Sequence, residues 1–210
     1  EFECRYDALL DDYDPQMTTA EVSVLFTELR SELVPLIATL AEHTVDDSPV
    51  HGEFPVEQQR LLVAETVAQM GFDRSGWRMD DTVHPFATSF GSYDVRITTR
   101  WEEAYFPAGL YGAMHECGHG LYEAGIADSL QRTPLARGAS LAVHESQSRL
   151  WENMVGRGRP YADALAPRVS SIFGFEIAPD PLYRAVNRVQ PSFIRVEADE
   201  ATYGLHIVLR

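Results

Sequence analysis

The tightest constraint on this chain is a five-residue run, His115-Glu116-Cys117-Gly118-His119. Two imidazoles four residues apart share one face only in an α-helix, so the run demands a helix. The flanks agree. Pro107 suits a first helical turn, Gly125 a stop, and Ala113, Met114, Leu121 and Ala124 supply an apolar side. The motif therefore faces inward, where imidazoles and a carboxylate are costly to leave unpaired. A metal ion resolves that cost. His115 and His119 can ligate it, and Glu116, one step round the helix, can reach a water on the ion. Composition alone puts such a motif in about 2% of chains like this one, so it is suggestive without being decisive.

A catalytic ion takes a third protein ligand and keeps one position open. The candidates are His144, Glu145, His84 and His206. His144-Glu145 sits on the next predicted helix, from Ser140 to Val155, which can fold back antiparallel to the first. A carboxylate third ligand leaves the site at net +1, enough to draw the pKa of a bound water toward about 7. Spacing does not separate His144 from Glu145.

The remaining chain reads as mostly helical. Thr18 and Glu21 have capping-box spacing ahead of Val22, Leu25, Phe26, Leu29, Leu33 and Leu36, with Pro35 expected to kink or interrupt that helix. Residues 45–53 read as a loop. A second helix fits Pro55 to Gly71, with Leu61, Leu62, Ala64, Val67 and Ala68 as its apolar face. Between Gly76 and Trp101 the pattern alternates, as in a small strand pair turning near Gly91-Ser92. A last helix is expected from about Pro191. The whole, residues 1–210, reads as part of one catalytic domain, and the first and last residues (Glu1, and the apolar run from Leu205) suggest an internal piece of a longer chain.

Charge and composition exclude several classes. The net charge is −15, and an acidic surface repels phosphate backbones, so no nucleic-acid partner is expected. No apolar run reaches the roughly 18 residues of a membrane span, and no leader is visible. There is no lysine, which removes Schiff-base and phosphate-loop lysines. Cys4 and Cys117 are too few and too far apart for a disulfide framework, which fits a reducing compartment.

His115-Glu116-x-x-His119 followed by His144-Glu145-Ser146-Gln147-Ser148-Arg149-Leu150-Trp151-Glu152-Asn153 resembles the carboxypeptidase Taq family. His84-Pro85-Phe86, Asp94-Val95-Arg96-Ile97-Thr98 and Ile194-Arg195-Val196-Glu197-Ala198-Asp199 are similar to three further family motifs, in the same order. The resemblance implies a cytoplasmic, homodimeric, zinc-dependent (or cobalt-dependent) carboxypeptidase of broad specificity acting on peptides with a free C-terminus. It implies a helical metallopeptidase fold, with the motif helix and a second ligand helix around a long cleft, of which this chain is an incomplete part. It makes His115, His119 and Glu145 metal ligands and Glu116 the general base, with His144 a supporting or substrate-side residue. An exopeptidase must grip a free carboxylate, which arginine does through its fork, so Arg96 and Arg195 are the candidates. Asp94 and the acidic residues after Arg195 offer each an ordinary ion pair instead. His84, held extended by Pro85, is a further substrate-side candidate. Gln147, Arg149 and Glu152 would orient the ligands. The readings that compete are a zinc endopeptidase or oligopeptidase and an inactive metal-binding module.

Overall fold

A computed structural model describes residues 4–73, 75–193 and 197–208. The chain divides into two compact units. One comprises residues 1–45, 140–142 and 187–210, the other residues 46–139 and 143–186.

In the first unit, α1 (Asp7–Leu10) leads to α2 (Thr19–Ala41), and α8 (Glu200–Val208) packs on α2. The expected capping box starts α2: the Glu21 N–H donates to Thr18 Oγ1 at 3.2 Å and the Thr18 N–H donates to Glu21 Oε2 at 3.0 Å. Pro35 does not interrupt this helix. It lies on an exposed stretch, where water can hydrate the carbonyl its missing N–H leaves free. Nor does the last helix start near Pro191. It starts at Glu200, because Asp199 caps it, accepting the N–H groups of Ala201 and Thr202 at 2.9 and 3.0 Å. Among the described residues no apolar side chain of this unit is fully buried; Leu25, on the periodic apolar stripe of α2, is 54% exposed.

The second unit carries the core. Its elements are α3 (Val56–Met70), β1 (Arg78–Asp81), β2 (Ala87–Ser89), β3 (Val95–Thr99), α4 (Pro107–Ala124), α5 (Leu141–Arg149, whose first two residues group with the first unit), α6 (Arg159–Phe173) and α7 (Pro179–Val186). The fold is mostly helical with a small sheet, as the sequence suggests. The sheet has three strands rather than a pair, in the order β1-β3-β2. β2 and β3 form the expected antiparallel pair, turning at Gly91, whose φ of 141° suits glycine. β1 pairs with β3 in parallel, a pairing between distant segments that local alternation does not reveal.

β3 lies along α4, burying Val95 and Ile97 against a helix that contributes Leu110, Ala113, Met114 and Cys117. Each large side chain so buried contributes about 1.5–3 kcal/mol. α3 packs on the other flank of α4 through Leu62, Val63 and Val67, whereas Leu61, expected on that face, is exposed. α6 packs on α3 and α7 on α6; Phe54 meets Phe106 and Phe173 edge-on, each at 5.0 Å between centroids, while Phe106 and Phe173 lie tilted at 36°, 5.6 Å apart.

One glycine sets how close the two motif-bearing helices come. A Cβ on Gly118 of α4 would lie 2.7 Å from Ser148 Cα and 3.0 Å from Gln147 O, so the backbone of α5 occupies that space. Gly118→Ala is expected to destabilise the protein by about 1–3 kcal/mol through overpacking, despite alanine's better helix propensity. Urea unfolding of the variant is the check, and an unchanged midpoint would deny the close approach.

Candidate metal centre

α4 places His115 and His119 one above the other, and α5 brings a third group to them. Glu145 Oε2 lies 3.5 Å from His115 Nε2 and 3.2 Å from His119 Nε2. The three ligand atoms lie within 4.8 Å of one another, and among the described residues this is the group able to hold an ion. The spacing suits a divalent ion: bonds of roughly 2.0–2.2 Å to nitrogen and oxygen in a tetrahedron give ligand–ligand edges of about 3.4 Å, close to the two separations between Glu145 and the imidazoles.

The outer faces of the ligands are engaged as well. His115 Nδ1 meets Glu152 Oε2 at 2.8 Å. Glu152 in turn sits between Arg149, at 3.3 Å, and Arg157, at 3.5 Å. His119 Nδ1 meets His144 Nδ1 at 2.6 Å, and His144 Nε2 meets Glu123 Oε1 at 2.8 Å. The Ser148 hydroxyl donates to Glu145 Oε2 at 3.1 Å. Glu152 belongs to the residues expected to support the ligands. Glu123 and Arg157 were not anticipated, although Glu123 follows His119 by four, the same one-turn step that separates the two motif histidines. The helix carrying these groups also changes pitch, continuing from α5 as a π-helix over Leu150–Val155 that contains Glu152.

The electrostatics favour positive charge at this point. Burial works against a charged His115, but hydrogen bonds to Glu145 and Glu152, with the nearby Glu116, push its pKa up to about 10. The surrounding carboxylates thus stabilise a positive charge beside them. Glu116 is only 6% exposed. Burial pushes its pKa up to about 7, Glu145 and Glu152 adding to the rise and His115 opposing it. A carboxylate poised there can both accept and return a proton near neutral pH.

Arg96 and His84, in the same unit as this cluster, are not among its ligand atoms. Arg96 lies on β3 between Val95 and Ile97, which face α4, so it projects from the opposite side of the strand. It is 47% exposed, donates from Nε and NH2 to Asp94 at 2.9 and 3.0 Å, and stacks over Phe90 at 4.8 Å. His84 is exposed in the bend between β1 and β2. The adjoining Pro85 packs over Gly112, one turn ahead of His115, lying 3.7 Å from where a Cβ would sit. Arg195 lies outside the described residues. His206 meets Ser192 at 3.2 Å, in the other unit.

With this geometry in view, comparison with known proteins is specific. The family model described as carboxypeptidase Taq (M32) metallopeptidase matches residues 2–210. Thermostable carboxypeptidase 1 of Thermus thermophilus is 44% identical over 209 residues, which cover 98% of this chain and 41% of that protein. Carboxypeptidase 1 of Bacillus subtilis is 43% identical over 211 residues, covering 98% of this chain and 42% of its own. The crystal structure of the M32 carboxypeptidase from Deinococcus radiodurans R1 superposes with a TM-score of 0.89 at 40% identity, over 96% of this chain and 41% of that one. The chain therefore spans about two-fifths of the length of the relatives it matches. It belongs to the carboxypeptidase Taq (M32) metallopeptidase family.

Proposed function

We propose that this chain is the metal-binding part of a single catalytic domain in a zinc-dependent carboxypeptidase of broad specificity. The observation that carries the reading is the convergence of His115, His119 and Glu145 beside the buried Glu116. Relatives bearing the name carboxypeptidase support the exopeptidase class. Two imidazoles and one carboxylate form the ligand set of a catalytic zinc, with cobalt the other metal such a set takes. Held by His115, His119 and Glu145, such an ion would supply Lewis acidity toward a water and the scissile carbonyl.

The chain's own residues do the rest. Glu116 takes a proton from the attacking water and returns it to the leaving amine. Glu152 and His144 hold the two imidazoles in orientation. The substrate's free carboxylate is met by an arginine fork, from Arg96 or Arg195; Arg96 would exchange its two bonds to Asp94 for the substrate. His84 lines the substrate side. The family resemblance extends the reading to a cytoplasmic homodimer, and the two free cysteines, Cys4 and Cys117, are in keeping with a reducing compartment. Among the described residues no helix is long and apolar enough to cross a membrane.

The test is a timed digest of a short peptide by the whole protein, with metal analysis, in the presence and absence of chelator. Products shortened one residue at a time from the C-terminus, and halted by chelator, are expected. Internal fragments would replace the exopeptidase reading with an endopeptidase one, and cleavage indifferent to chelator would end the metal reading.

A further inference from the structure

His144 and Glu123 form a hydrogen-bonded bridge behind His119. His119 and Glu123 stand one turn apart on α4, and the ring of His144, from α5, fits between them. Its Nδ1 meets His119 and its Nε2 meets Glu123, so neither nitrogen is left for a peptide. The ring is also packed on its sides. Tyr122 stands edge-on to it, with centroids 4.9 Å apart and planes at 77°. The Tyr122 hydroxyl accepts the Ala139 N–H at 3.0 Å, which closes the adjoining loop against both rings. A Cβ on Gly138 in that loop would fall 2.9 Å from Tyr122 and 3.0 Å from His144. Glu123 is fixed at its other oxygen by the Ser89 hydroxyl of β2, at 3.1 Å.

We propose that His144 and Glu123 are positioning residues that dictate which nitrogen of His119 is free to hold the metal, an inference that rests on the metal centre proposed above. His119 can ligate only through a nitrogen without a proton, and Nε2 is the atom 3.2 Å from Glu145. Its proton then resides on Nδ1 and is donated to His144 Nδ1. His144 accepts there, so its own proton sits on Nε2 and is donated to Glu123 Oε1. Glu123, an acceptor, anchors the chain at its far end. With both rings neutral, the reverse polarity would set the lone pair of His144 Nε2 against a carboxylate oxygen 2.8 Å away and would put a proton on the ligating nitrogen of His119. The two ligands are thus backed differently: His115 directly by a carboxylate held by arginines, His119 by a carboxylate acting through an intervening ring.

The experiment uses the whole protein and reads zinc affinity, by competition with a chromophoric chelator, and imidazole tautomers, by nitrogen-15 NMR of the histidine rings in the zinc-loaded state. His144 should carry its proton on Nε2. His144→Phe, which keeps a ring but removes both hydrogen bonds, should weaken zinc binding about 10–100-fold, as loss of an outer partner does. Glu123→Leu should weaken it in the same direction, and Glu123→Gln, whose amide oxygen still accepts from Nε2, should restore affinity close to wild type. That rescue is a response which mere packing would not give. A His144 protonated on Nδ1 alone, or a His144→Phe protein with wild-type zinc affinity and a raised KM, would overturn the proposal while leaving the metal centre standing. A Glu123→Gln variant as weak as Glu123→Leu would also overturn it. A wild-type protein that takes up no zinc would remove both readings.

Discussion

Glu116→Gln is expected to leave the protein with its full complement of metal and to lower kcat by about 10²- to 10⁴-fold, the usual contribution of a positioned general base. The amide has the shape of the carboxylate but accepts no proton from water at neutral pH. Glu116 is not one of the three converging ligand atoms, so the ion should stay. The carboxylate is buried, and that burial is the main reason its pKa rises to about 7, where one group can act as base and then as acid. Metal content and kcat measured on the same preparation decide the matter. Near-wild-type turnover would dismiss Glu116 as the base. Joint loss of metal and activity would make it part of the metal's support instead.

Glu145→Ala is expected to remove the metal. Two imidazoles alone would remain, and the carboxylate that meets both at 3.2 and 3.5 Å would be gone. The loss should exceed the about 10–100-fold seen when only an outer partner is removed. Stability gives a second readout. Metal at 1,000 times its dissociation constant stabilises a protein by about 4 kcal/mol, so the rise in Tm on adding zinc should disappear in the variant. A variant that retained stoichiometric zinc and the same rise would mean that the third ligand is another residue.

Several elements were legible because their signals are local. α4 runs from Pro107 to Ala124, the span that the proline, the periodic apolar residues and Gly125 indicate. The Thr18–Glu21 capping box and the Gly71 terminus of α3 are equally short-range, Gly71 having the left-handed φ of 113° that closes a helix. What escaped the sequence needed distant partners. The parallel register of β1 with β3 and the π-helical pitch of Leu150–Val155 have no local signature. α6 and α7 were not read from the sequence at all. Pro35 shows a rule overridden by exposure, and Leu25, 54% exposed, shows that an apolar residue at helical spacing need not be buried.

The candidate site divides along the same line. The sequence by itself determined that His115 and His119 share a face, that Glu116 sits one step away, and that His144-Glu145 rides on the following helix, because covalent connectivity and helical pitch place neighbours on one helix. Spacing could not choose between His144 and Glu145, which differ by about 100° around α5, although the family motif pointed to Glu145. Only the tertiary structure decided that rotation. With the α5 backbone seated against Gly118, Glu145 turns toward the Nε2 atoms and His144 toward Nδ1 of His119 and Glu123. The orientation of one helix about its axis is set by what packs against it, and that information is spread over residues far apart in the chain.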